Sequence, residues 1–188
     1  MFIETEATPN PATLKFLPGR TVMPSGTLDI RDPSAAQASP LAGALFSIEG
    51  VTGVFFGSDF VSVTKAAGDW AHLKPAILGA IMEHMMSGQP VVTEPVAGAT
   101  TPGADQEFFD EADVDTVDTI KDLLETRVRP AVAGDGGDIT FKGYRDGIVY
   151  LAMKGACAGC PSSTATLKHG IENLLKHFVP DVHAVEQI

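Results

Sequence analysis

The sequence predicts an α+β protein built as two small α+β domains joined by a flexible acidic linker. Three observations carry this. Residues 1–90 read as short strands, a helix, a hairpin and a second helix. Residues 113–188 read in the order α-β-β-α-β. Between them, residues 91–112 are rich in Pro, Gly, Ala, Thr and acids, a composition that buries too little apolar area to offset its ordering entropy.

Charge supports the same division. Of a net −11, the stretch from Glu94 to Asp118 carries eight acids and no Lys or Arg, whereas residues 119–188 are balanced. The acidity therefore belongs mainly to the connector, and no basic patch for nucleic acid or anionic lipid is present. Hydrophobic residues make up 44% and charged residues 20%, ordinary for a soluble globular protein. No apolar run approaches the ~20 residues of a membrane span. The N-terminal Met-Phe-Ile-Glu-Thr-Glu lacks the basic and apolar regions of a signal peptide and is too acidic for a transit peptide. A cytoplasmic protein is expected, or a mitochondrial matrix form whose presequence has been removed.

In the first region, Phe2–Glu6 and Thr13–Leu17 are expected as two short strands around a Pro9-Asn10-Pro11 corner. Ser39-Pro40 looks like an N-cap followed by proline at the first helical position, opening a short helix over 41–48. Val51–Phe56 and Phe60–Thr64, separated by Gly57-Ser58-Asp59, give a hairpin signal. Trp70–Met86 forms the second helix, with Leu73, Ile77, Ile81 and Met85 in an i, i+4 stripe. His72 and His84 read as isolated surface or partly buried groups. Met82, Met85 and Met86 beside Ile81 fit core packing better than a soft metal site. The region looks like a recognition or support domain. In the connector, Phe108-Phe109 is expected to pack on the following helix as an N-terminal staple, with partner docking as the alternative.

The second region opens with a helix over 115–132, apolar at Val117, Ile120, Leu123, Leu124, Val128 and Val132, which Pro130 should bend or end. The Gly134-Asp-Gly-Gly-Asp138 loop lacks the Gly-Lys-Ser/Thr of a phosphate cradle and the ligand spacing of a calcium loop, so it reads as a helix stop and backbone turn. Ile139–Lys142 is a strand, Arg145-Asp146-Gly147 a turn, and 147–153 a second strand. A helix over 164–178 has apolar positions Leu167, Ile171, Leu174, Leu175 and Phe178, and a last strand runs through Val182 and Val185.

The chain's two cysteines sit between that strand and that helix, in Lys154-Gly-Ala-Cys157-Ala-Gly-Cys160-Pro-Ser-Ser163. Pro161 suits the first helical position, which leaves Cys160 at about the N-cap, where free N–H groups favour its thiolate. Gly155, Ala156, Ala158 and Gly159 keep side chains clear, so the loop is expected to present both sulfurs, not bury them. A C-x-x-C spacing admits several chemistries. A thioredoxin-like thiol–disulfide oxidoreductase places the motif early in a larger α/β fold, yet here only a helix and one short strand follow. Zinc needs about four ligands, and His169 and His177 lie deep in the helix that Cys160 caps, which argues against a site within one chain. An iron–sulfur cluster is commonly held by four thiolates, so two chains would contribute two each. A shared, exposed site suits a carrier that gives its cluster away.

Residues 113–188 resemble the C-terminal NifU-like domain of the Nfu iron–sulfur scaffold and carrier proteins. The resemblance lies in Arg129-Pro-Ala-Val-Ala-Gly-Asp-Gly-Gly-Asp-Ile139, in Leu151–Ser163 and in the helix beginning Thr164-Ala-Thr-Leu-Lys168. The first region is similar to the Nfu N-terminal domain through Thr8-Pro-Asn-Pro-Ala-Thr-Leu-Lys-Phe16 and Gly50–Phe56. The pairing is that of mitochondrial Nfu and its bacterial relatives. The resemblance implies a non-enzymatic homodimer with no catalytic residues, carrying one [4Fe-4S] cluster between two Cys157/Cys160 pairs. It implies that the cluster arrives from upstream assembly proteins and passes to apo-proteins such as lipoyl synthase, aconitase-type dehydratases or respiratory subunits. Charge placement and the lack of a long apolar run argue against a nucleic-acid or membrane partner.

Overall fold

A computed structural model of the chain describes residues 1–93, 99–100, 106–158 and 161–188. It divides into two compact units, 1–101 and 102–188. Both mix helices with sheet, as the α+β expectation required.

Unit 1 holds one six-stranded antiparallel sheet with two helices. The strands are β1 (Glu4–Ala7), β2 (Thr13–Leu17), β3 (Thr27–Ile30), β4 (Val51–Phe56), β5 (Val61–Lys65) and β6 (Ala99–Thr100), in spatial order β1-β2-β5-β4-β3-β6. Helix α1 (Pro40–Phe46) starts where its proline predicts, and Ser39 Oγ accepts the Ala42 N–H at 3.2 Å as its N-cap. Helix α2 (Trp70–Ser87) is capped by Asp69 and ends at Gly88, whose φ of 69° completes a left-handed stop. The stripe Leu73, Ile77, Ile81 and Met85 is buried, joining Phe16, Leu28, Ile30, Leu41, Leu45, Phe56 and Val61 in the core. The core reading of the methionines holds for Met85, whereas Met86 is 74% exposed and Met82 lies at the surface. His84 is buried and its Nε2 has no hydrogen-bond partner among the described residues. The Pro9-Asn10-Pro11 corner is fixed by side chains: Thr8 Oγ1 donates to the Asn10 carbonyl at 2.8 Å, and Asn10 Oδ1 accepts from the Ala12 N–H at 3.0 Å.

Three elements of this unit lie outside the sequence expectation. They are β3, a 3-10 turn over Pro33–Ala38, and β6, which pairs Thr27 with Thr100 and Leu28 with Ala99. Part of the connector thus belongs to the first sheet.

Unit 2 packs helices on the three-stranded sheet β7-β8-β9, where β7 (Gly137–Arg145) and β8 (Ile148–Gly155) are antiparallel and β9 (Ala184–Gln187) lies parallel to β8. Asp146 and Gly147 both have positive φ, 53° and 77°, which suits a tight two-residue hairpin turn. Gly147 is obligatory for a second reason: a Cβ there would meet the Asp181 carbonyl at 2.8 Å. The expected 115–132 helix is instead three pieces, α3 (Val114–Leu123), a π turn over Leu124–Val128, and α4 (Arg129–Gly134). Pro130 explains the break. It has no N–H to give, and widening the preceding turn lets the Arg129 N–H reach the Leu124 carbonyl without a ring clash. The apolar face survives the change, with Val117, Ile120, Leu124, Val128 and Val132 buried against Leu151, Ile171, Leu175 and Val185.

Phe108 departs from expectation. It packs on the sheet rather than stapling α3, while Phe109 is exposed. Its N–H donates to the Lys142 carbonyl at 3.1 Å, its carbonyl accepts from the Tyr144 N–H at 2.8 Å, and its ring lies 5.1 Å from that of Tyr150. Gly143, at a register shift in β7, makes room: a Cβ there would sit 2.5 Å from the Phe108 ring.

Candidate functional site

The cysteine loop leaves the end of β8 and enters α5 (Pro161–Phe178), so the helix begins with the proline that the sequence places there. Cys160 lies outside the described residues, as does Gly159. Cys157 is described, and its position corrects one expectation. The side chain is 5% exposed and belongs to the hydrophobic core of unit 2, so this sulfur faces the chain's own interior.

The physical reason lies in a glycine outside the loop, Gly137 at the start of β7. Gly137 and Gly155 are paired across the β7–β8 ladder. A Cβ on Gly137 would stand 2.6 Å from Cys157 Sγ, 2.6 Å from the Lys154 carbonyl oxygen and 3.1 Å from the Cys157 nitrogen. With no Cβ present, the loop closes onto the turn before β7. Gly155, at φ 66°, turns the chain, the Ala156 N–H donates to the Gly136 carbonyl at 3.2 Å, and the Ala158 N–H donates to the Gly155 carbonyl at 3.2 Å. From the helix side, Thr164 Oγ1 donates to the Cys157 carbonyl at 2.9 Å. Burial pushes the Cys157 thiol up to about 12, and the Asp135 and Asp138 carboxylates add to the shift. At neutral pH this sulfur is a protonated thiol.

The turn under Cys157 is held by a group that spacing in the sequence did not reveal. Arg129, at the start of α4, forks onto Asp138, with Nε to Oδ1 at 2.9 Å and a second guanidinium nitrogen to Oδ2 at 3.0 Å. Asp138 Oδ1 also accepts the Ile139 N–H at 2.9 Å, and Glu125 takes another Arg129 nitrogen at 2.6 Å. The Asp138 carboxylate, together with Glu125, raises the guanidinium further above its already high value. A basic residue and an acid either side of a glycine turn are the only trace of this fork in the sequence, and they are nine positions apart. The Gly134–Asp138 loop is therefore a helix stop and turn, as expected, with a structural ion pair across it.

The weaker metal candidates stay apart. His177 stacks edge-on against Phe178, and His169 is exposed on α5. Among the described residues no group of three or more His, Cys, Asp or Glu side chains is placed to hold a metal ion. None of the described helices is long and apolar enough to cross a membrane.

Comparison with known proteins gives both halves a family. Residues 3–88 match the family described as scaffold protein Nfu/NifU N terminal, and residues 120–186 match the NifU-like domain. Over 190 aligned residues, all of this chain, it is 50% identical to the NFU1 iron-sulfur cluster scaffold homolog, mitochondrial, of Homo sapiens, covering 72% of that protein. It is 50% identical to the homolog of the same name from Drosophila virilis, of which it covers 62%. It is 52% identical to NifU-like protein 4, mitochondrial, of Arabidopsis thaliana, of which it covers 66%. The chain thus spans roughly two thirds of the length of these relatives. Both domain matches occur in one chain, one in each of its two units, and the identity to these scaffold homologues runs through the whole of it: the chain belongs to the Nfu family of iron–sulfur cluster scaffold proteins.

Proposed function

We propose that the chain binds one [4Fe-4S] cluster between the Cys157/Cys160 pairs of two copies and passes it to apo-proteins. The observation that carries this reading is the C-x-x-C pair itself: the chain's only two thiols, at a strand-to-helix junction within its NifU-like region. Two thiolates satisfy half the usual ligand demand of a cluster, so a second copy supplies the rest. The cluster is cargo. Transfer is ligand exchange, in which each client thiol gives up a proton as it displaces a carrier thiolate and the released carrier sulfur takes one up.

Cys157 cannot serve as a ligand while seated against Gly137, so loading includes a movement of residues 155–158 that carries its sulfur out of the core. The thiol then loses its proton to the medium as iron binds. Unit 1, with no cysteine, is assigned client recognition, and the connector lets it hold a client while unit 2 delivers. The mitochondrial names of the relatives support the matrix as the compartment over a bacterial cytoplasm. The working domains in this reading are 1–90 and 113–188 with 91–112 between them, although 99–100 pair with the first sheet and Phe108 with the second.

The test is anaerobic reconstitution with iron, sulfide and native mass determined on one sample. Roughly four irons and four sulfides per two chains are expected, lost together with dimerisation in Cys157→Ala. A colourless monomer that cycles a Cys157–Cys160 disulfide would establish a thiol–disulfide oxidoreductase instead.

A further inference from the structure

The fork between Arg129 and Asp138 lies one residue from the seat of Cys157, and every link between them is short. Asp138 is 4% exposed. A buried carboxylate is costly unless paired and hydrogen-bonded, so the fork and the Ile139 N–H fix it in one arrangement. Its neighbours Gly136 and Gly137 are buried and in direct contact with the cysteine loop: the Gly136 carbonyl accepts the Ala156 N–H, and Gly137 leaves Sγ no spare room. A shift of the turn by a few tenths of an ångström therefore moves the surface on which the sulfur rests. Glu125 holds the guanidinium from its other side, so the fork is anchored to the helical layer as well as to the sheet.

We propose that Arg129 and Asp138 are positioning residues for Cys157: their fork holds the Gly136-Gly137 turn as its seat and so governs how readily this sulfur is released to a cluster. The pair touches no cluster atom. It acts by stabilising the seated loop against the open one. This rests on the cluster-binding reading above, and deepens it by naming what restrains the ligand before loading.

The experiment uses the full chain with Cys160→Ser, which leaves Cys157 as the only thiol. Its alkylation by iodoacetamide is followed by mass spectrometry at pH 8 from zero to low urea. Seated, Cys157 should react at least about 100-fold more slowly than in the unfolded chain, since access and thiolate character both limit it. Arg129→Gln and Asp138→Asn should each speed the reaction at least about tenfold, and Arg129→Lys by less, because an ammonium replaces the fork with a point contact. In all three the rate should stay flat in low urea, the mark of local opening, while unfolding remains cooperative. Unchanged alkylation in folded variants overturns the proposal. So does an acceleration that follows urea with the slope of global unfolding, which marks a merely structural pair. If Arg129→Gln does not fold, Arg129→Lys carries the same comparison.

Reconstitution of the same clamp variants with both cysteines intact separates the two readings. Faster cluster uptake than the parent is expected. A parent chain that never takes up a cluster, with alkylation behaving as described, sinks the cluster reading and not the seat. Uptake in the parent with alkylation in the variants no faster than in the parent sinks the seat alone.

Discussion

Replacing Gly137 with Ala adds one methyl group where the structure has none to spare. The new Cβ would lie 2.6 Å from both Cys157 Sγ and the Lys154 carbonyl oxygen, about 1 Å inside ordinary contact. Overpacking of this kind costs about 1–3 kcal/mol. Gly137 is not in the left-handed region, so alanine gains about 0.4–1 kcal/mol by restricting the unfolded chain. The net lies between about 0 and 2.6 kcal/mol and centres near 1.3 kcal/mol of destabilisation, or roughly 5–10 °C in a domain of this size. The chain supplies its own assay. Trp70 is its only tryptophan and lies in unit 1, while both tyrosines, Tyr144 and Tyr150, lie in unit 2. Tyrosine-monitored melting should shift by that amount, with the tryptophan signal unmoved as an internal control. A tyrosine midpoint unchanged to within about 2 °C would refute the reasoning, since the turn could then yield without cost.

Other perturbations test separate parts of the structure. Gly79→Ala, on an exposed position of α2 with nothing within 4 Å of a new Cβ, should raise the tryptophan-monitored stability of unit 1 by about 0.5–1 kcal/mol; a decrease would show an unseen contact. Burial pulls the His84 imidazole below its ordinary value, against a smaller opposing hydrogen bond to the Gln89 backbone. The native state therefore takes up the proton at lower pH than the unfolded chain, whose imidazole protonates near 6.5. Its contribution is therefore complete above that pH and is lost as pH falls below it, by up to about 1.4 kcal/mol per pH unit. Urea titrations from pH 5 to 8 should show this slope in unit 1, and His84→Gln should flatten it; an equal slope in the variant would assign it elsewhere. Phe108→Ala removes the ring that lies tilted at 55° against Tyr150, a contact of about 0.5–1.5 kcal/mol beyond the area it buries. Hydrogen exchange at the Tyr144 amide, which donates to the Phe108 carbonyl, should accelerate about tenfold, and unchanged protection would mean that the backbone pairing stands without the ring.

What could be read in the sequence was whatever obeys a local rule. Ser39-Pro40 opens α1, the Leu73–Met85 stripe is buried, Asp146-Gly147 turns β7 into β8, and Pro161 opens α5. What escaped depends on partners distant in the chain. The four residues of β3 become a strand only because β4 and β6 flank them. Phe108 is seated by Gly143, a residue whose value is the side chain it lacks. The helix over 115–132 was legible as a face but not as three pieces, because periodicity does not show how a proline is accommodated. At the site, the cysteines announced themselves while the direction of Cys157 did not. Small residues in a loop permit approach by a ligand and equally permit collapse onto the sheet, and only the glycine on the opposite strand decides between them.

The parallel pairing of β9 with β8 has a consequence for the order in which the molecule is made. β7 and β8 are neighbours in the chain, so their hairpin closes at little entropic cost. β9 reaches Ile148–Leu151 only after a crossover that contains the whole cysteine loop and α5. Pairing β9 with β8 therefore carries the larger loop-closure cost in this sheet, and β9 is expected to dock after the β7–β8 hairpin has formed. The last strand to join is the one that meets Ile148–Leu151, at the end of β8 away from the cysteine loop, so the seat of Cys157 on Gly137 can form within the hairpin before the sheet is complete.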